Sequence, residues 1–423
     1  MAIESEVLVV GGGLAGIGAA LAAAETGALV RLLSAKQSTL RHASGLVDVL
    51  GYTPDGEGPL ADPLDALEDL PADHPYAVVG REAVAAGLAL FDDAVGDTYE
   101  GSHTSRNALV PTHGGTVKPT ARYPASAAAG VASDDRDVLL VGFERLPAFD
   151  APLAAAHLEA AGVPFDARGV TVEFPIELDA DAKVTRYAHL LDRDAATGDG
   201  VGVRAALADL IETRRDGEPR LGFPAVLGDD EAAPVRADLA DRLGAAVFEV
   251  PMGPPSLPGV RLEDRLFDAL DAAGVRVESG NPAVGYEADG DRLDAVLVDR
   301  TGREVPYAAE QFVLATGGLV GKGLDSNRQR VTEPIFDCHV AQPPDRYDWF
   351  EDDAFGAHPF ARFGVDPDAE LRPTDAGGRP EFSNLRAAGS VLGNYDFAAE
   401  KSGAGVSLAT GHRAGTRAAE EAQ

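Results

Sequence analysis

Lysine and cysteine are nearly missing from this chain. Among 423 residues there is one Cys, Cys338, and five Lys against 31 Arg. A single Cys excludes an internal disulfide, a cysteine-held iron–sulfur cluster and a cysteine-based structural zinc site. Cations are also outnumbered: 69 Asp and Glu face 36 Lys and Arg, for a formal net charge of -33. A nucleic-acid binder must neutralise phosphates with clustered Lys and Arg, so that class is excluded. Long apolar runs are missing too. The longest, from Leu14 through Ala24, is rich in Ala and Gly and stops at Glu25, too short and too weakly apolar to span a bilayer. No basic stretch precedes the opening MAIESEVLVVGGG, so no secretory leader is expected. The expected location is cytoplasmic, with no direct membrane insertion.

The hydrophobic fraction, 45%, is too high for a disordered acidic tail. The acid excess therefore belongs to a folded surface, and the length suggests roughly two or three domains. Asp (42) exceeds Glu (27), and both are spread along the whole chain. Self-repulsion of this size is tolerable where salt screens it, with a Debye length of about 3 Å at 1 M. The composition is that of a salt-adapted, halophilic protein.

Three pieces of sequence carry chemistry. Val7 to Val10 form a continuous apolar run, as in a strand buried on both faces. Gly11, Gly12, Gly13, Leu14, Ala15 and Gly16 follow, in the frame Gly-x-Gly-x-x-Gly, and open a helix that Gly27 ends. The first Gly permits a tight turn, the second lets a phosphate approach the backbone, and the third lets helix and strand pack closely. A second strand, 29–33, follows. Ser34 stands where an acid would grip an adenosine ribose. Either the ribose is held differently, or the nucleotide is a mononucleotide such as FMN. Far downstream, 282–316 shows period-two runs broken by Asp-Gly and Thr-Gly turns, a β-meander ending in Thr316-Gly317-Gly318. Finally, 384–396 holds the Gly389-Ser390 turn, and Gly403, Gly405 and Val406 open a last helix whose positive end would face a flavin pyrimidine.

These pieces together resemble the FAD-binding fumarate reductase/succinate dehydrogenase-like flavoproteins. Ser38 to Leu50 is similar to a short stretch of the B-subunit family of anaerobic glycerol-3-phosphate dehydrogenases, and Leu139–Glu144, Pro254–Leu262 and Glu333–Phe336 point the same way. The resemblance implies an α/β fold: a discontinuous Rossmann-like flavin-binding domain, 1–75 with 281–423, around an inserted α/β cap, substrate or partner-facing domain, 76–280. It implies an FMN-containing component, with FAD as the alternative. Its partners would be a catalytic FAD subunit and an iron–sulfur membrane-anchoring subunit of the same complex. The complex would oxidise sn-glycerol 3-phosphate, a small phosphate substrate, to dihydroxyacetone phosphate and pass electrons to the quinone pool. A stand-alone FAD oxidoreductase of fumarate-reductase type and a flavin-free assembly subunit are the alternatives.

Ser44 and Gly45 lie on the loop that, in related flavoproteins, runs close to the flavin ring. His42 is a candidate acid–base group because imidazole titrates near neutrality, and His113 is a further catalytic candidate. Lys118 and Arg261 are candidate phosphate ligands, and Lys401, before the last helix, a candidate anion contact. Cys338 and His339 have no metal spacing, and no metal site is expected. The charge balance also makes a testable demand: refolding and cofactor retention should require molar salt, and full occupancy in dilute buffer would refute the halophilic reading.

Overall fold

The computed structural model describes residues 3–179 and 182–422. The chain forms two compact units. The first comprises Met1–Thr39, Asp48–Val95 and Asp264–Gln423; the second comprises Leu40–Val47 and Gly96–Glu263. Helix Pro75–Val95 and residues 264–280 thus belong with the first unit, and the short segment 40–47 with the second.

The first unit is built on strand β1 (Ile3–Val10), helix α1 (Leu14–Glu25) and strand β2 (Val30–Ser34). The apolar run Val7–Val10 is at most 3% exposed, so each side chain contributes roughly 1.5–3 kcal/mol of burial. Helix α1 is apolar on every side and buried from Ala15 to Ala23, as expected of a helix inside a layered core. Helix α2 (Pro75–Val95), interrupted at Gly80, comes next. Strands β3 (Arg276–Ser279), β4 (Ala283–Asp289), β5 (Arg292–Asp299), β6 (Glu304–Leu314) and β7 (Leu385–Ala387) complete the sheet, and helix α3 (Gly403–Ala422) ends the chain.

The sheet order is β3-β2-β1-β6-β5-β4, with β7 also on β6. Strands β2, β1, β6 and β7 run parallel, with Val10 opposite both Leu33 and Leu314. Strands β4, β5 and β6 form the antiparallel meander expected from the sequence. Strand β6 serves two neighbours on one edge: its start pairs with β5 and its end with β7. That end is thereby placed beside the loop after β1. Two glycines let α3 lie directly on α1. Any side chain at Gly411 or Gly415 would strike the carbonyl oxygens of Ala15 and Ala19.

The second unit has a four-stranded parallel sheet in the order Ala246–Val250, Arg220–Pro224, Val138–Phe143, Ala167–Val172. Its helices include Ala151–Ala160, Val203–Glu212 and Ala232–Leu243. The strand Arg220–Pro224 has no clear signature, since Arg, Gly and Pro occupy three of its five positions. It is nevertheless fully buried. Arg220 is tolerated there because its guanidinium donates to the carbonyls of Asp134 and Arg136 and lies 4.5 Å over the Phe165 ring.

On one sheet face of the first unit, Glu278 accepts from Arg31, from Arg300 at 2.5 Å and from the Tyr307 hydroxyl at 2.6 Å. Burial pushes this carboxyl up, but the tyrosine hydrogen bond and the two guanidinium charges outweigh it and hold it below the usual Glu range. A depressed folded pKa contributes stability above the unfolded value and loses it as pH falls. Glu278→Gln should therefore cost stability at neutral pH and flatten the acid limb of the melting temperature below about pH 4.3, the free Glu value. An unchanged acid limb in a pH series would refute this.

Candidate functional site

The site is built where β1 meets α1. Gly11 has a φ of +127°, and a Cβ there would run into the Ala315 carbonyl. A Cβ on Gly16 would collide with the Gly11 carbonyl, while one on Gly12 would come within 2.6 Å of Ser34 Oγ. At Gly13 the space is open: a Cβ would meet nothing within 4 Å. Gly13 is the N-cap of α1, without a side-chain cap and without an acid in the first turn. The first intrahelical bond is Ile17 N–H to Gly13 O, 2.9 Å. The amides of Leu14, Ala15 and Gly16 thus have no intrahelical partner, and with the helix dipole they offer donors of the kind that suit an anionic phosphate.

Two remote segments arrive at the same place. Ala315 N–H donates to Val10 O at 2.8 Å, which carries Thr316, Gly317 and Gly318 past the glycine loop. Gly317 has a φ of +87°, and Gly318 N–H donates to Ser390 Oγ at 3.1 Å. Gly389, φ +75°, presses against the Ala15 side chain, and its N–H donates to Thr410 Oγ1 of α3 at 2.9 Å. The Thr316 hydroxyl is buried without a hydrogen-bond partner. An orphaned hydroxyl beside free helix amides fits a polar, phosphate-bearing cofactor, because a buried unsatisfied polar atom otherwise costs about 1–3 kcal/mol. Gly11 to Gly16, Thr316, Gly317, Gly389 and Ser390 are thus gathered in one unit.

Ser34 is 6% exposed, and its hydroxyl donates to Lys36 O at 2.6 Å. It adjoins Gly12, where an acid would reach a ribose, and it offers no carboxylate.

The start of α3 corrects an expectation. Ala404 N–H donates to Asp48 Oδ1 at 3.0 Å, Gly405 N–H to Asp48 O at 2.7 Å and Val406 N–H to Ser402 O at 2.9 Å. Gly405 is also crowded by Tyr76 and Val49. The amides of Gly405 and Val406 are therefore taken by the protein and do not point at a cofactor; Gly403 packs on the Phe397 ring. Behind this helix end lies a buried polar cluster that sequence reasoning missed. Tyr76 OH donates to Val49 O at 2.5 Å, and Tyr76 N–H donates to His74 Nδ1 at 3.1 Å. Since Nδ1 accepts, the ring proton sits on Nε2 and bonds Glu400 Oε2, 3.1 Å away. Ser402 also donates to that carboxylate. Burial, followed by the charges of Asp48 and Glu400 among its neighbours, pushes the Tyr76 hydroxyl well above its ordinary value. Burial does the same to Tyr395, whose hydroxyl has no hydrogen-bond partner. Asp48 lies inside the Ser38–Leu50 stretch, but nothing local announces a partner 356 residues away.

In the second unit two sequence stretches come together. A side chain at Gly259 would strike the carbonyls of Leu40 and Ala43, so the first turn of the helix Leu257–Ala272 packs on the 40–47 segment. Gly45, φ +78°, lies against Pro258, and its carbonyl accepts from Tyr99 OH at 2.8 Å. Ser44 Oγ lies 3.4 Å from Leu46 N. His42 is exposed on the turn Thr39–His42, and His113 is exposed between strands Ala108–Pro111 and Val117–Thr120. Lys118 is half-buried on the latter strand.

Arg261, a candidate phosphate ligand, is engaged within the protein. It grips Glu249 with two bonds, 2.6 and 3.1 Å, and also donates to Gly228 O. Burial raises the Glu249 carboxyl, but the Arg261 charge and hydrogen bonds outweigh this and hold it below its usual value. Lys401 is likewise occupied. It caps the helix Phe397–Glu400 in a left-handed conformation, and its ammonium donates to Ala398 O. Among the described residues no three His, Cys, Asp or Glu side chains are grouped to hold a metal ion. The Cys338 thiol is buried, which pushes its pKa far up. No described helix is long and apolar enough to cross a membrane.

A Rossmann-type sheet with a glycine loop, an antiparallel meander and a returning Thr-Gly-Gly strand defines a flavin-binding class of protein. Residues 6–406 match the family described as FAD binding domain. The chain is 64% identical over 423 residues to the probable anaerobic glycerol-3-phosphate dehydrogenase B subunit of Halobacterium salinarum, covering 99% of both chains. It is 31% identical over 417 residues to the anaerobic glycerol-3-phosphate dehydrogenase B subunit of Pectobacterium atrosepticum, covering 95% and 96%. A solved flavocytochrome c3 fumarate reductase in its open conformation aligns over 99% of this chain and 79% of its own, at 12% identity and a TM-score of 0.45. The chain belongs to the B-subunit family of the anaerobic glycerol-3-phosphate dehydrogenases, within the FAD-binding-domain flavoproteins.

Gly11→Ala should abolish flavin retention while an exposed control such as Gly27→Ala retains it, read as flavin absorbance per polypeptide. Asp48→Ala should destabilise by about 1 kcal/mol, the usual worth of a helix N-cap, measured by chemical unfolding in molar salt. Wild-type stability in that variant would refute the capping role.

Proposed function

We propose that this chain is the flavoprotein subunit of an anaerobic glycerol-3-phosphate dehydrogenase complex. The complex oxidises sn-glycerol 3-phosphate to dihydroxyacetone phosphate and passes the electrons to the quinone pool. The observation that carries the reading is the Thr316 cradle: free α1 amides, open space at Gly13 and an orphaned hydroxyl in a full-length member of the B-subunit family. A flavin bound there supplies reversible two-electron chemistry. The amides of Leu14, Ala15 and Gly16 hold its phosphate, and Thr316 and Ser390 satisfy polar atoms along its tail.

The proposed division of labour gives substrate oxidation to a separate catalytic FAD subunit. This chain receives electrons and hands them to an iron–sulfur, membrane-anchoring subunit. The engagement of Arg261 and Lys401 supports that division, since two cations suited to a substrate phosphate are already used. The proposed location is cytoplasmic, peripheral to the membrane through the iron–sulfur subunit. The proposed cofactor is FMN, supported by Ser34 in place of a ribose-binding acid; the family description supports FAD as the alternative.

Two measurements test this. Mass analysis of flavin released from protein kept in molar salt should find FMN; FAD alone would overturn the reading of Ser34. Glycerol 3-phosphate should reduce that flavin only when the partner subunits are present. Reduction of the isolated chain would move substrate oxidation onto this polypeptide, and no reduction with the partners would overturn the proposed function.

A further inference from the structure

Arg236, in the second unit, is half-buried on the second turn of helix Ala232–Leu243, and among the described residues its guanidinium has no hydrogen bond and no ion pair. Every other buried or half-buried arginine among the described residues pairs with a carboxylate or donates to a carbonyl. The helix itself supplies no partner. The positions three and four residues away, Ala232, Ala233, Leu239 and Ala240, carry no acid. Of the two acids on the helix, Asp238 pairs with Arg204 and Arg242. The other, Asp241, is exposed and lies about 140° around the helix from Arg236.

The charges that act on Arg236 are those of Glu249 and Arg261. Burial pushes its pKa below the ordinary arginine value; the Glu249 charge opposes that shift and the Arg261 charge adds to it. Glu249, 1% exposed on strand Ala246–Val250, is already engaged. It accepts two bonds from Arg261 and one from Leu227 N–H at 2.7 Å. The Arg261 Nε is buried without a hydrogen-bond partner. Two guanidinium groups thus share one carboxylate, and donors on both are unused. The further acids that act on Arg261 are Asp229 and Asp192. Asp192 accepts from the amides of Asp229, Asp230 and Glu231, and Asp229 lies 3.5 Å from His189 Nε2.

The Arg261 bond to Gly228 O and the Glu249 bond to Leu227 N–H fix this place beside the loop that follows strand Arg220–Pro224. That loop leaves the carboxyl end of the unit's parallel sheet, the end at which open α/β sheets take their ligands. A half-buried guanidinium without a counter-charge is costly, and its planar fork matches two oxygens of an oxyanion. We propose that Arg236 is the anchoring cation of an oxyanion site beside the Glu249–Arg261 pair, and that the site takes the phosphate group of a small phosphomonoester. The choice of a phosphomonoester rests on the proposed function, whose substrate and product both carry that group.

The test uses the full chain in molar salt, titrated by calorimetry with glycerol 3-phosphate and, separately, with inorganic phosphate. Wild type should bind glycerol 3-phosphate, and Arg236→Gln should bind it at least about tenfold more weakly, as for loss of a hydrogen bond to a charged group. Arg236→Lys keeps the charge without the fork and should fall between the two. Without ligand, Arg236→Gln should melt no lower than wild type, because it removes an unpaired charge. A lower melting temperature would make Arg236 a structural residue and overturn the proposal. Undiminished binding by the folded Arg236→Gln protein, or no binding by wild type, would overturn it as well. Binding of inorganic phosphate alone would overturn the phosphomonoester assignment. Flavin reduction by glycerol 3-phosphate in the assembled complex is read separately. Its failure with binding at Arg236 intact would overturn the proposed function and leave the site standing.

Discussion

The close approach of three backbone segments governs the first unit. Gly16 lies on the Gly11 carbonyl, and Gly11 lies on the Ala315 carbonyl, at separations that leave no volume for a Cβ. Strand β1, helix α1 and the end of β6 are therefore locked to one another by backbone atoms, not by side-chain choice. The direction in which the α1 amides point follows from that lock, and so does the placement of Thr316 and Gly317 beside them. Helix α3 extends the same device along α1, with Gly411 on Ala15 and Gly415 on Ala19. The wall of the cradle is thus set by glycine contacts drawn from both ends of the sequence, and dispersion between close-packed backbones supplies the adhesion.

Charge is handled differently inside and outside. Interior cations are arginines with planar forks matched to carboxylates or carbonyls: Arg31 on Glu278, Arg261 on Glu249, Arg220 on a row of carbonyls. A buried carboxylate without such a partner would shift its protons or unfold the site. The acid excess is left for the surface, where solvent salt screens it. This separation explains why an anion-binding candidate such as Arg261 is found paired with Glu249. In a chain so rich in acids, a buried arginine finds a carboxylate within its own unit.

Much of the glycine loop and its surroundings was legible because it is written locally. Gly11, Gly13 and Gly16 mark a strand–turn–helix by spacing alone, and the Asp-Gly and Thr-Gly turns mark the meander that the sheet contains. Gly389 and Ser390 were legible for the same reason. The roles of Gly405, Val406 and Lys401 were not, because they depend on which group meets a helix end. Asp48 fills the end of α3 and the Ala398 carbonyl takes the lysine. The strand Arg220–Pro224 was hidden because its burial rests on carbonyls contributed by the 129–136 segment.

By itself the sequence determined the class of fold, the glycine loop between β1 and α1, and the acidic surface. Each follows from residue type and short-range spacing, which act before any tertiary contact exists. Tertiary structure alone decided which polar groups remain free. Hydrogen bonds are exclusive, and a donor already held by Asp48 or Glu249 is lost to any ligand. The Thr316 hydroxyl stayed unpartnered while the Ala404 amide and the two terminal nitrogens of Arg261 did not, and only the folded arrangement of distant segments could make that choice.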